Sequence, residues 1–402
     1  MSTAIGPSTS PEFGPGRDAV PGTGLTVAVL AVSSLTVMSN ATISPSLPGL
    51  AAAFADTPGI AILSGLVLSL PSLSILLTAA LFGRAADRVN RRGLMAILLL
   101  CYGAAGASGA LAESMEAILV GRVLLGIAVA GTMTLATTLA GDHWQGAAQQ
   151  RFMGQQAAAM AAGGILFLLF GGALAELSWR GPFLIYLSSW LLIPLVLLSV
   201  PPHGPVRAPE TSSGPASAFP WGFFAGIGAL ATFGMTMFYL VPTRLPFLLA
   251  EIGVPAPSAA GFTIAAMTLA SMVTSLGFGR IRRYLGPQSV FAVAFVLMAA
   301  GYLVVGLSGG FVPVVIGTMI AGLGLGLTFP NQMSWLMARV PADARGRAAG
   351  MLTSAVFAGQ LLSPLLSGAL KTVLATSTVY LVFAAILTGA AVAMARPWRM
   401  LR

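Results

Sequence analysis

Charged residues, cysteine and histidine are all scarce in this chain of 402 residues. Charged side chains make up 8% of it and hydrophobic ones 56%, whereas a soluble globular protein carries roughly a quarter charged residues. This composition excludes a water-exposed surface over most of the chain. The single cysteine, Cys101, excludes an internal disulfide, and we interpret it as a packing residue.

The residue patterns of common enzyme sites are also missing. The two histidines, His143 and His203, are far apart and belong to no His/Cys cluster or Ser/His/Asp arrangement. No glycine-rich phosphate loop with a following lysine is present, which argues against direct use of ATP. We therefore predict that the protein is not an enzyme and that it has no cofactor or metal.

Long uncharged apolar runs are what the chain has in abundance. No charge occurs between Asp18 and Asp56 or between Arg283 and Arg339, and about 20 helical residues suffice to cross the hydrocarbon core of a membrane. The runs lack the period-two alternation of barrel strands. We predict an all-α membrane protein with twelve transmembrane helices, at about 24–46, 59–82, 94–112, 116–140, 153–175, 181–200, 220–243, 256–279, 287–307, 312–337, 348–370 and 373–395.

The basic residues indicate the orientation in the membrane. If the N-terminus is cytoplasmic, sixteen basic residues fall in inside segments, and only Arg180, Arg244 and Lys371 fall in outside segments. This asymmetry follows the positive-inside rule, so we predict a multi-pass protein of the inner (plasma) membrane with both termini in the cytoplasm. The asymmetry also accounts for the formal net charge of +9, so we expect membrane lipids and not nucleic acid as partners.

A polar stretch at 201–219 divides the spans six and six. We predict a cytoplasmic linker there, between a first six-helix bundle at 23–200 and a second at 220–396, with a disordered cytoplasmic tail at 1–22 and a short one at 397–402. A shift of 196 residues places Gly121 on Gly317, Gly126 on Gly322 and, in the loops, Gly83-Arg84 on Gly279-Arg280 and Arg151 on Arg347. Two pseudo-symmetric halves of this kind are typical of transporters, with the substrate path where the halves meet.

Residues 83–92, GRAADRVNRR, resemble the loop signature of the major facilitator superfamily, Gly-x-x-x-Asp-Arg-x-Gly-Arg-Arg, with Asn90 where glycine is usual. Arg122 and Gly126 are similar to the Arg-x-x-x-Gly element of the family's fourth span, and WRGPFLIY at 179–186 resembles the usual entry to the sixth. The resemblance covers nearly the whole chain. It implies a secondary transporter, expected to be a monomer, that moves a small-molecule substrate by alternating access.

The resemblance also implies a gate at the loop after span two. A latch between this loop and span eleven would stabilise the outward-facing state. The candidate gating residues are Gly83, Asp87, Arg88, Arg91 and Arg92, with Asp142 as a partner for the arginines. An acid among arginines can form ion pairs in one conformation that are released in another. The alternative is that these arginines only anchor the loop at the membrane surface.

Arg122 is the charge that lies deepest in a predicted span, and an intramembrane cation normally faces the bundle interior or a wet cavity. The alternative is a structural arginine that bonds helix carbonyls or reaches out to the interface. Arg122, Asn40 and Tyr239 lie at similar depths, roughly 24 to 27 Å from the inner edge. Because spans one, four, seven and ten line the cavity in this family, the candidate substrate contacts are Asn40, Thr42, Arg122, Thr236, Tyr239, Asn331, Gln332 and Trp335. Gln155, Gln156 and Gln360 are weaker candidates.

The first span lacks an acid that related antiporters often carry. Drug/proton antiporters of the superfamily often have one just ahead of Pro-x-Leu-Pro; this chain keeps that motif at 45–48 but has Asn40 and Ala41 in the preceding region. A cavity that holds Arg122 and no carboxylate should repel cations, so we expect neutral or anionic amphiphilic substrates. Span five keeps Gly171 and Gly172 of the antiporter signature Gly-Pro-x-x-Gly-Gly but not the Gly-Pro pair, which places proton antiport in doubt. Protons remain a candidate co-substrate.

The remnants of these two motifs resemble the exporter branch of the superfamily. We therefore predict export of a small neutral or anionic amphiphilic organic compound. One alternative is a proton-coupled importer or a uniporter of a small organic anion. Another is a membrane sensor or scaffold that transports nothing and whose cavity is collapsed.

Overall fold

The structure is a computed structural model that describes residues 22–86, 89–202, 219–341 and 344–395. Helices account for the regular structure of these ranges. They are α1 (Thr23–Ala41), α2 (Leu47–Ala53), α3 (Ile60–Ala86), α4 (Arg91–Ala107), α5 (Met115–His143), α6 (Gly146–Leu177), α7 (Gly181–Leu184), α8 (Leu192–Ser199), α9 (Trp221–Glu251), α10 (Pro257–Tyr284), α11 (Pro287–Leu307), α12 (Phe311–Arg339), α13 (Arg345–Lys371) and α14 (Thr376–Ala395).

Within the described ranges, twelve helical segments are long and apolar enough to cross a membrane, which confirms the predicted number of spans. The first span is interrupted: α1 ends at Ala41, a 3-10 turn covers Ser44–Ser46, and α2 completes the crossing. Pro45 lies in that turn and has no N–H to donate to an earlier carbonyl, which explains why a continuous helix does not form there. The sixth span is also interrupted, by a 3-10 segment at Ile185–Leu191 between α7 and α8.

Packing within each half follows the 196-residue repeat. In the first half α5 packs against α3 and α4, and in the second half α12 packs in the same way against α10 and α11. Gly126 of α5 lies against the carbonyl of Pro71, and Gly322 of α12 lies against the carbonyl of Met267. The two glycines are 196 positions apart, and so are the two carbonyls. The protein is therefore built from two pseudo-symmetric six-helix bundles, as predicted.

The most extensive contacts between the two halves are those of α3 with α13 and of α6 with α10. Arg91 and Arg345 begin helices and Arg339 ends one at the same end of the molecule, which we call the basic end. Glu251 and Lys371 end helices at the other end, which we call the opposite end. Among the described residues, the hydrogen bonds between the halves lie at mid-depth or towards the opposite end. Their partners are Asn40–Gln360, Ser72–Gln360, Tyr239–Leu68, Ser44–Pro242, Arg244–Ala61 and Ser258–Glu176.

The structure corrects two of the sequence-based interpretations. The seventh span does not end before Arg244, because α9 continues to Glu251 and buries that arginine to 2% exposure. The helix can continue because Ser367 and the carbonyl of Ala61 accept hydrogen bonds from the guanidinium. Cys101 is not a packing residue: its side chain is exposed, on the outer face of α4.

Candidate substrate site between the halves

Three uncharged polar side chains join the halves near mid-depth, and we call Asn40, Ser72 and Gln360 the mid-depth cluster. Gln360 Oε1 of α13 accepts hydrogen bonds from Ser72 Oγ of α3 at 2.5 Å and from Asn40 Nδ2 of α1 at 3.3 Å. Ser72 and Gln360 are buried, and Asn40 Oδ1 is buried without a hydrogen-bond partner. Counted along their helices, Ser72 and Gln360 lie roughly 16 to 18 Å from the opposite end, about half the thickness of the hydrocarbon core.

The mid-depth cluster adjoins the break in the first span, and Arg122 stabilises that break. Its guanidinium donates hydrogen bonds to the carbonyl of Ser39 at 3.4 Å, to Tyr186 Oη at 3.0 Å and to the carbonyl of Gly106 at 3.4 Å. Tyr186 Oη in turn donates to the Ser39 carbonyl at 2.9 Å. The last carbonyls of a helix carry partial negative charge, so a cation beside them is stabilising.

This geometry favours the structural alternative for Arg122. The side chain is 1% exposed, and its partners named above all belong to the first half, as does Phe183, whose ring centre lies 5.4 Å from the guanidinium carbon. The arginine thus fixes the C-terminal end of α1 and, through it, the position of the neighbouring Asn40. Direct contact of Arg122 with a substrate stays a prediction.

The other candidates on the first and seventh spans occupy different positions. Tyr239 Oη donates to the carbonyl of Leu68 across the halves at 3.4 Å, one turn along α3 from Ser72, and so extends the mid-depth cluster. Thr236 Oγ1 bonds the carbonyl of Gly359 at 3.2 Å within the second half. Thr42 is fully buried and bonds the carbonyl of Met38 at the end of α1. Substrate contacts of these three residues also stay predictions.

The candidates on the tenth span divide between a cavity and the protein core. Gln332 lines a cavity of about 270 Å³ in the second half, with Ser271, Thr328 and Phe238 among its neighbours. Asn331 is fully buried; its Nδ2 donates to the carbonyl of Pro287 at 2.9 Å, and its Oδ1 has no partner. Trp335 packs edge-on against Phe223 and tilted against Phe291, in the core of the second half. Of these three, only Gln332 faces open space.

At the basic end, the structure joins two of the candidate gating residues. Arg91 forms an ion pair and hydrogen bond with Asp142 at the end of α5, and both side chains are buried. Arg92 Nε donates to the carbonyl of Val200 at 2.6 Å. Gly83 lies in α3, whereas Asp87 and Arg88 fall outside the described residues. The predicted contact between the loop arginines and Asp142 exists; a gating role for it stays a prediction.

At the opposite end, polar contacts close the space between the halves. Arg244 Nη2 donates to the carbonyl of Ala61 at 3.0 Å. Ser44 Oγ donates to the carbonyl of Pro242, and Ser258 Oγ to Glu176 Oε1. These bonds hold the two halves together at the opposite end, and the mid-depth cluster joins them deeper in the membrane.

Comparison with known proteins identifies the family. The model of the Major Facilitator Superfamily matches residues 29–311 and 228–401. The chain belongs to this superfamily. It is therefore a membrane transporter of the major facilitator fold and not an enzyme, as predicted.

Individual relatives are distant. The chain is 22% identical over 341 residues to Multidrug resistance protein 1 of Bacillus subtilis, covering 82% of this chain and 85% of the relative. It is 26% identical over 321 residues to the 3-(3-hydroxy-phenyl)propionate transporter of Escherichia coli, covering 76% of each. A shorter match, 30% identical over 129 residues, covers only 24% of an uncharacterised B. subtilis transporter.

Solved structures agree on the fold. A bacterial homologue of the human lysosomal transporter Spinster, in an inward-facing and occupied conformation, superposes with a TM-score of 0.77 at 17% identity, over 94% of this chain and 97% of the other. At this identity the likeness concerns the fold alone. The twelve spans of this chain therefore share the arrangement of that protein's helices.

Proposed function

We propose that the protein exports a small neutral or anionic amphiphilic organic compound by alternating access. The observation that carries the proposal is the mid-depth cluster, where uncharged polar groups from both halves meet halfway across the membrane. Neutral amide and hydroxyl groups can bind polar substrate groups by hydrogen bonds but offer no counter-charge to a cation. The similarity to a multidrug resistance protein supports export.

We further propose that the basic end faces the cytoplasm, since this satisfies the positive-inside rule. The conformation described here is then inward-facing, with Arg244 and its neighbours closing the outer end. A monomer is the proposed working unit, because each chain contains both halves of the substrate path. Protons are proposed only as a candidate co-substrate, since the described membrane-spanning segments hold no carboxylate at mid-depth.

A second candidate function is uptake or uniport of a small organic anion. The similarity to the 3-(3-hydroxy-phenyl)propionate transporter favours it, because that name denotes a carboxylate. The same mid-depth cluster would then bind the polar ring substituent of an aromatic acid. The direction of transport and the response to a pH gradient distinguish this function from export.

Flux into and out of proteoliposomes tests both functions. We define a probe panel of one neutral amphiphile, chloramphenicol, one organic anion, 3-(3-hydroxyphenyl)propionate, and one organic cation, tetraphenylphosphonium. Saturable flux of the neutral compound or the anion supports the proposal, and its response to an imposed pH gradient separates a coupled transporter from a uniporter. Flux of the cation would overturn the proposed substrate chemistry. Absence of flux for the whole panel, together with no ligand-induced thermal shift, would support the alternative of a sensor or scaffold.

A further inference from the structure

Arg244 is a deeply buried cation at the opposite end of the second half. It is 2% exposed, its Nε donates to Ser367 Oγ at 3.1 Å, and its Nη2 donates to the Ala61 carbonyl at 3.0 Å. Within the part of the chain that the structure describes, no carboxylate forms an ion pair with it. The nearby acid Glu251 is engaged elsewhere, by Lys371 at 2.8 Å and by Thr376 at 2.7 Å.

Two hydroxyl groups without hydrogen-bond partners lie in the same region. Ser363 Oγ and Tyr380 Oη are buried and unpartnered, and both residues are fully inaccessible to solvent. Ser363 precedes Ser367 by one turn on the same face of α13. Tyr380 belongs to α14, which packs against both α9 and α13, the helices that carry Arg244 and Ser363. Counted along their helices, Arg244, Ser363, Ser367 and Tyr380 all lie within roughly 6 to 12 Å of the opposite end.

The side chains of Arg244, Ser363, Ser367 and Tyr380 can all donate hydrogen bonds. A guanidinium has only donors, and serine and tyrosine hydroxyls can each direct one O–H towards an acceptor. Burial of a cation without a counter-charge and burial of a hydroxyl without a hydrogen-bond partner are both unfavourable. Elsewhere among the described residues, the buried side-chain atoms without partners are the Oδ1 acceptors of Asn40 and Asn331. The two unpartnered hydroxyl groups thus lie in the same half of the protein, and at about the same depth, as the buried guanidinium.

We propose that Arg244, Ser363 and Tyr380 form a binding site for a small monovalent anion, of the size of chloride or a short carboxylate. One such anion would neutralise the guanidinium and accept hydrogen bonds from both hydroxyl groups. The close approach of the neighbouring helices favours a small ion, because a Cβ atom at Gly368 would already lie 3.0 Å from Arg244 Nη2. This site is distinct from the mid-depth cluster and is proposed to hold an ion that is not the transported substrate.

Thermal unfolding of the purified protein in detergent tests this site without any transport substrate. Sodium chloride replaces sodium gluconate at constant ionic strength, because gluconate is a much larger anion than chloride. Sodium acetate forms a third series. The proposal predicts that the melting temperature rises by several degrees as chloride is added and then reaches a plateau, because a ligand that binds only the folded state stabilises it. Acetate should have the same effect if a short carboxylate also fits the site. A crystal soaked in bromide should show its anomalous signal beside Arg244.

Conservative variants separate this proposal from a purely structural role. Ser363→Ala and Tyr380→Phe each remove one hydroxyl group. Each variant should need about tenfold more chloride for the same rise in melting temperature, which corresponds to about 1.4 kcal/mol of binding free energy. If no anion binds, removal of an unpartnered buried hydroxyl should leave the melting temperature equal or higher in every salt. Arg180→Gln is the matched control, because Arg180 is an arginine of the same end whose guanidinium bonds the Ala112 carbonyl at 3.0 Å and stacks on Trp179. A melting temperature of the wild type that is indifferent to chloride and acetate would overturn the proposal.

Discussion

Arg244 of α9 donates a hydrogen bond to the carbonyl of Ala61 of α3, and this 3.0 Å contact joins the second half of the protein to the first. It lies near the opposite end, while the mid-depth cluster of Asn40, Ser72 and Gln360 joins the same halves deeper in the membrane. Alternating access requires these contacts to break when the opposite end opens. They are therefore the places where substitutions should change conformation and transport more than the stability of either half.

A disulfide across the opposite end should stop transport. A Cβ atom at Gly368 would lie 3.3 Å from Ile62 Cα, close enough for a bridge after small adjustment. In a Cys101→Ser background, oxidised Ile62→Cys/Gly368→Cys protein is expected to lose flux of whichever panel compound the wild type transports, and reduction should restore it.

A bridge within one half provides the control for that experiment. A Cβ atom at Gly24 would lie 3.3 Å from Ser199 Cβ, and both residues belong to the first half. Oxidised Gly24→Cys/Ser199→Cys protein should keep its flux, because the halves move as units. Equal loss in both bridged proteins, or full flux in the first, would contradict a rocking motion of the halves.

Substitution of the mid-depth cluster should change which charges are transported. Asn40→Asp introduces a group that takes up and releases a proton at the place where the wild type has a neutral amide. We expect flux of tetraphenylphosphonium to appear in this variant and to depend on pH, because a carboxylate supplies the missing counter-charge. Thr42→Ser on the same turn is the control, since it keeps the hydroxyl that bonds the Met38 carbonyl. Cation flux that is unchanged by Asn40→Asp would argue against this location for substrate binding.

Arg122 should matter for stability even when no substrate is present. Arg122→Lys keeps the charge but carries its donors on one nitrogen, whereas Arg122 bonds Tyr186 and the Ser39 carbonyl through Nη1 and the Gly106 carbonyl through Nη2. A loss of about 1.5–3 kcal/mol in the free energy of unfolding is therefore expected. Tyr186→Phe should lower the free energy of unfolding by about 1–3 kcal/mol. A double-mutant cycle of the two changes should give a coupling energy of about 0.5 kcal/mol or more, as is usual for residues in contact. Additive losses measured by unfolding in detergent would show that the two side chains do not act as one unit.

The pseudo-symmetry predicts matched effects at two glycines. Gly126→Ala and Gly322→Ala each place a methyl group against a backbone carbonyl of the neighbouring helix, and each should lower stability by about 1–3 kcal/mol through overpacking. Gly141 lies on the same helix as Gly126 with nothing near its Cβ position, so Gly141→Ala should have little effect. A large loss at only one of the two repeat-related glycines would argue that the halves do not pack equivalently.

Much of the architecture follows from the sequence because the signals are local. Uncharged runs separated by arginines predict twelve spans, which the structure has. The spacing of Gly126 and Gly322 predicts a repeat, and each glycine packs against a backbone carbonyl of a neighbouring helix. The resemblance to the superfamily, and not a local pattern, implies Asp142 as a partner of the loop arginines, and its ion pair forms with Arg91.

The contacts between helices do not follow from the sequence, and the reason is physical. The charge of Arg244, directly after the predicted span 220–243, indicates the end of a span. Its burial depends on the Ser367 hydroxyl and on the Ala61 carbonyl of α3, which accept its hydrogen bonds. Ser72 and Tyr186 carry no charge and give no periodic signal that would show which helix they face. Their roles depend on the pairing of α3 with α13 and of the sixth span with α1, which no local pattern specifies.

The most direct test of the account is a pair of distance measurements between the halves in lipid. Spin labels are placed in a Cys101→Ser background at the exposed residues Leu177 and Val373 of the opposite end, and in a second protein at Met153 and Tyr284 of the basic end. In Arg244→Gln the loss of the Ala61 contact should lengthen the distance at the opposite end and shorten the distance at the basic end, whereas Arg180→Gln should change neither. Distances that stay fixed in Arg244→Gln, or that lengthen at both ends together, would contradict alternating access in this protein.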